Sequence, residues 1–117
     1  MIMKTALALA AAAAALALGS SALAGTPKLL ASVSDPANIS LTMNGKKVTS
    51  LKAGTYAIVV KDTAADHDFH LTGPGVNKAT SISGKASTTW TVKLKPGKYT
   101  YVCDPHSSFM KGSFTVK

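Results

Sequence analysis

Apolar and polar positions follow two regimes along the chain. From Ala6 to Leu18 the run is unbroken and apolar, whereas after residue 28 apolar residues come in short alternating or β-branched stretches separated by Gly, Pro, Asn and Asp. Alternation with period two marks a half-buried strand, because successive side chains point to opposite faces. No stretch after the first regime sustains a helical period. Strands are expected over residues 29–34, 39–43, 46–49, 56–61, 67–72, 87–94, 98–103 and 112–116. Asn44-Gly45 is a two-residue hairpin signal, since a type I′ turn needs positive φ at both positions. Gly73-Pro74-Gly75 and Lys95-Pro96-Gly97 punctuate the later half. Strands this short and this frequent predict an all-β chain, a Greek-key β-sandwich or barrel of seven to eight strands.

The phase of each strand assigns side chains to faces. Tyr99, Tyr101 and Cys103 share one face, with Thr100 and Val102 on the other; His67, Phe69 and Leu71 point together, with His70 away from them; Trp90, Val92 and Leu94 form a further apolar face. Leu51-Lys52-Ala53-Gly54-Thr55-Tyr56 recurs as Leu94-Lys95-Pro96-Gly97-Lys98-Tyr99. Two copies do not make a solenoid, so the echo reads as one turn-to-strand solution used twice.

The first regime changes the expected compartment. Lys4, the apolar run and the small-residue ending Ala22-Leu23-Ala24 have the order of a secretory signal peptide over residues 1–24. The run is roughly 13 residues, short of the about 20 that cross a bilayer core. The mature chain is then residues 25–117, one domain with no transmembrane segment, exported to a periplasm or secreted, and expected to be a monomer.

Charge adds a constraint on partners. All 13 basic residues are lysines, with five Asp, no Arg and no Glu, for a formal net charge of +8. Such a protein suits an acidic docking surface on a partner protein or an anionic envelope surface. Lysines at edges and turns also keep β proteins from pairing with one another, which is the stronger explanation. Nucleic acid is excluded as a partner by export and by the lack of arginine and stacking aromatics.

The one cysteine carries the chemistry. An odd thiol in an exported protein pairs between chains, stays exposed to oxidation, or is held by a metal. Cys103-Asp104-Pro105-His106-Ser107-Ser108-Phe109-Met110 brings a thiol, an imidazole and a thioether into eight residues. Soft sulfur with imidazole suits copper, and a His₂Cys plane with a weak axial Met is the blue-copper arrangement. A second histidine has to come from upstream, either His67 or His70. A catalytic role fails on inventory: with three histidines and no Glu, nothing frames a Cys-His nucleophile or supplies a second copper centre. No enzymatic activity is expected.

At these residues the sequence resembles the cupredoxin family, the small single-domain blue-copper proteins of the plastocyanin, pseudoazurin and amicyanin kind. The match is Tyr99-x-Tyr101-x-Cys103-x-Pro105-His106, then Met110-x-Gly112, with His67-Asp68 standing where the family has a His-Asn pair. The resemblance implies one copper ion held by His67, Cys103, His106 and Met110, and single-electron shuttling between Cu(I) and Cu(II) to redox partner proteins. His67 is preferred over His70 because it shares a face with Phe69 and precedes the residue matching the family's Asn. Asp68 for that Asn, and Asp104 after the cysteine, depart from the pattern and place two carboxylates near the sulfur. The same ligands would serve a copper storage, delivery or tolerance protein, and a metal-free adhesion sandwich is the third reading.

Overall fold

The structure, a computed structural model, describes residues 25–117; the leader expected over residues 1–24 lies outside them. Ten strands form two five-stranded sheets. In chain order they are β1 (Lys28–Ser34), β2 (Asn38–Met43), β3 (Lys46–Lys47), β4 (Ser50–Leu51), β5 (Gly54–Asp62), β6 (His70–Gly73), β7 (Val76–Ala79), β8 (Ala86–Leu94), β9 (Gly97–Val102) and β10 (Lys111–Val116). One sheet runs β3-β2-β1-β5-β8 and the other β4-β10-β9-β6-β7. The two pack as an open sandwich of the all-β class expected from the sequence, with no closed barrel.

Alternation builds the core. Along β1 the inward positions Leu29, Ala31 and Val33 are buried, opposite Ile58 and Val60 of β5, while their neighbours face out. The second sheet contributes stacked rings: Tyr99 lies on Phe114 at 5.2 Å and Phe69 on Tyr101 at 5.4 Å between centroids. Gly112 is required by this packing, because a Cβ there would run into the Tyr101 ring. Asn44 and Gly45 close the β2–β3 hairpin with φ of 52° and 80°, as a type I′ turn demands.

Three elements differ from the sequence reading. The expected strand at 46–49 ends after Lys47, because Val48 turns inward and the chain crosses to the other sheet, where β4 pairs in parallel with β10. The expected strand at 67–72 begins only at His70, so His67, Asp68 and Phe69 form a buried approach to it. Beyond Pro74-Gly75 the chain doubles back as β7 against β6, a strand whose sequence Val-Asn-Lys-Ala shows no apolar alternation because only Val76 is buried. The internal echo is a repeated local solution: Tyr56 and Tyr99 each donate their hydroxyl to the carbonyl of the lysine four residues back, at 2.8 and 3.0 Å.

All connections relevant to the candidate site lie at one end, where β9 runs out and β10 begins. There β5 ends, β6 begins, and β1 passes into the Asp35-Pro36 turn before β2.

Candidate metal centre

Cys103 follows the last residue of β9 and keeps the inward phase of Tyr99 and Tyr101, which leaves it fully buried. Its N–H donates to the Met110 carbonyl at 2.9 Å, closing the loop between β9 and β10. Inside the loop, Asp104–His106 forms one 3₁₀ turn with Pro105 near its start; proline suits that position because its fixed φ is helical and no N–H is needed there. The His106 N–H donates to the Cys103 carbonyl at 3.0 Å, and the Met110 N–H to the His106 carbonyl at 2.9 Å. The loop's own backbone thus fixes three of the four sequence-predicted residues. Met110 is buried beneath it at 1% exposure.

The upstream histidine comes from the segment before β6. His67 Nδ1 lies 3.4 Å from Cys103 Sγ and 3.1 Å from His106 Nδ1, and His106 Nδ1 lies 3.5 Å from the sulfur. On its other side, His67 Nε2 meets the Pro36 carbonyl at 3.0 Å. A carbonyl only accepts, so Nε2 carries the hydrogen and a neutral ring presents Nδ1 as a lone pair toward the cluster. Asp35 and Asp66, at 3.2 and 3.7 Å from Nε2, favour the same tautomer. This outer support was not visible in the sequence.

His70 goes elsewhere. Its Nδ1 meets both carboxylate oxygens of Asp104, at 2.9 and 3.1 Å, and its Nε2 meets Asn77 Oδ1 of β7 at 2.6 Å. Two acceptors on one ring hold the His70 pKa above its ordinary 6.5, the Asn77 bond contributing most and Asp104 next. Asp68 is buried, against the outward phase that simple alternation gives it, and its carboxylate accepts from the Asp104 N–H at 2.6 Å. Burial pushes its carboxyl up to about 6, reinforced by a hydrogen bond to the Asp104 side chain, while the Asp104 N–H opposes the rise. Asp104 is held below its ordinary value by that same hydrogen bond from Asp68 and then by His70. When protonated, Asp68 donates a hydrogen bond as an amide would.

The donor set fits a soft-to-borderline cation. The triangle of one sulfur and two nitrogens has edges of 3.1, 3.4 and 3.5 Å, so its centre lies about 1.9 Å from each corner, near the length of a metal–imidazole bond and about 0.4 Å short of a metal–thiolate bond. Burial pushes the Cys103 thiol pKa up, although the backbone N–H groups of Asp68 and His106 pull it down. A cation at the centre would reverse the effect of burial and hold the sulfur as thiolate.

A two-sheet sandwich with one cysteine and two histidines gathered at the end of its strands offers a candidate metal site, and comparison with known proteins gives the fold a family. The model of the cupredoxin-like domain family matches residues 7–116, and the chain belongs to that family. Nothing matches it among curated protein sequences. Solved structures with the same fold include the reduced rusticyanin determined by NMR, at 23% identity and TM-score 0.53, with 77% of this chain and 76% of that one covered. A crystal structure described as the copper protein rusticyanin aligns over the same shares at 20% identity and TM-score 0.52.

Proposed function

We propose that the chain is an exported type 1 copper protein that carries single electrons, its mature domain spanning residues 25–117. Cys103 is the thiolate donor, His67 and His106 are the two imidazole donors, and Met110 is the weak axial thioether. The observation that carries this reading is the triangle of Cys103 Sγ with the Nδ1 atoms of His67 and His106, held by the Pro36 carbonyl on one side and the closed loop on the other. Bound copper would supply one-electron exchange between Cu(I) and Cu(II). The chain's own part is to hold the donors. Cys103 and Met110 are tied by a strand-end hydrogen bond, and His67 is locked in tautomer and orientation, so the donor positions need little movement between oxidation states. Cys103 is fully buried, which shields the sulfur from exchange and oxidation.

His106 is half-buried, and its ring packs 5.5 Å from Phe109, which is 62% exposed. His106 is the one candidate donor that is not fully buried, and its edge is the surface a redox partner would meet. A protein that stores or delivers copper would use the same donors, but gains nothing from a donor set held on both sides. The experiment that separates the two measures electron self-exchange and copper transfer on the same loaded protein. Rapid self-exchange with copper retained against an apo acceptor supports the carrier; rapid copper transfer with slow self-exchange contradicts it.

A further inference from the structure

The acidic side chains of the mature chain gather at one end, where Lys61, Lys78, Lys85 and Lys111 also lie, while the other end carries lysines and no Asp. All five carboxylates stand around the candidate metal centre. Asp35 and Asp66 flank His67, Asp68 and Asp104 flank Cys103, and Asp62, the last residue of β5, accepts from the Ala64 N–H and the Thr80 hydroxyl. The opposite end is formed by the Asn44-Gly45 and Pro74-Gly75 turns, the approaches to β5 and β9, the start of β1 and the residue after β10. It carries Lys28, Lys46, Lys52, Lys95, Lys98 and Lys117, every one exposed, and no Asp. Among the described residues every ion pair involves a histidine, so these lysines have no carboxylate partner within 4.0 Å.

Distance keeps the two ends electrically separate. They are one nine-residue strand apart, about 27 Å at the usual rise, and counterions screen exposed charge over about 8 Å. Edge protection accounts for Lys46 and Lys47 on β3 and Lys78 on β7, which border the sheets. It does not account for lysines in the turns before β5 and β9, nor for the absence of any acidic residue among them. Lysine rather than arginine throughout is the choice for a diffuse surface of point charges, not for forked recognition of one carboxylate or phosphate.

We propose that the lysine-bearing end docks on an anionic phospholipid surface and turns the metal end toward the aqueous side. Besides charge complementarity, chain direction favours this partner. β1 starts at that end with Lys28, so the apolar run Ala6–Leu18 of the expected leader enters the domain at this end, through nine intervening residues. The inference concerns the end remote from the metal and holds whichever cation the site binds.

The test is flotation of the mature protein, residues 25–117, with vesicles of phosphatidylglycerol and phosphatidylcholine, against vesicles of phosphatidylcholine alone. Binding to the first only, released by salt, is expected. The double variant Lys52→Glu/Lys95→Glu should lose at least about thirty-fold in partitioning, since each basic residue near an anionic surface is worth several-fold. Lys61→Glu/Lys85→Glu makes the same change in net charge at the metal end and should keep most of the binding. Far-UV circular dichroism confirms that both variants are folded. Equal losses in the two variants would overturn the proposal in favour of net charge alone. Absence of binding to anionic vesicles at low salt would also overturn it, and salt-sensitive binding to an acidic protein instead would assign this end to a protein partner.

Discussion

At the scale of single residues, the two upstream histidines divide roles that the sequence could only rank. His67 is turned into the cluster by a carbonyl that takes its far nitrogen, while both nitrogens of His70 meet acceptors. Because the folded-state pKa of His70 is raised, the stability it contributes is complete below the unfolded value of 6.5 and is lost as pH rises through the folded value. Urea unfolding of the apoprotein should therefore show wild type ahead of His70→Gln at pH 5.5 by roughly half a kcal/mol, a modest figure because the site is partly solvent-screened. The gap should close by pH 8.5; a gap constant with pH would contradict the assignment. Met110 lies on the other side of the same question. Replacing its thioether with a harder amide oxygen favours Cu(II), so Met110→Gln should keep copper and lower the potential in voltammetry. An unchanged potential would remove Met110 from the axial position.

At the scale of elements, the sequence was most legible where burial alternates. Strands β1, β5, β8, β9 and β10 fall within two residues of their expected limits, because each has one buried face and pays heavily for a register slip. The Cys103–Met110 loop was legible too, since its ligand types and its Pro are local in sequence. What stayed hidden depended on partners far along the chain: β7, held by pairing with β6 and not by its own apolar residues, the crossing at Val48, the buried Asp68, and the Pro36 support of His67. The repeated tyrosine turn offers a test at this scale. Tyr99 accepts from the Lys95 N–H and donates toward the Lys95 and Pro74 carbonyls, whereas Tyr56 has the Lys52 carbonyl alone. Tyr56→Phe should cost about 1 kcal/mol and Tyr99→Phe about 2 kcal/mol in chemical denaturation, because the latter strands several partly buried backbone groups. Equal costs would contradict the hydrogen-bond account of the two turns.

At the scale of the molecule, core and candidate site are built from different materials. The sandwich closes through stacked rings and aliphatic side chains of both sheets, and at its end three of the four candidate donors sit on a loop that the backbone already fixes, with His67 on the segment before β6. Folding is therefore expected without metal. The apoprotein should keep its β circular dichroism and melt cooperatively, and saturating copper should stabilise it by about 4 kcal/mol at a thousandfold excess over Kd. Loss of β structure on chelation would show instead that the metal organises the fold. Acid should reverse copper binding, since thiol and imidazole donors must be deprotonated.

The central claim is that Cys103, as thiolate, shares one copper ion with His67 and His106. It is tested most directly by the visible absorption spectrum of residues 25–117 after Cu(II) is added to the reduced apoprotein, measured beside Cys103→Ser. An intense blue band that ascorbate bleaches, and that the folded Cys103→Ser protein lacks, is the predicted result. A colourless wild type, or a Cys103→Ser protein that keeps the band, would contradict it.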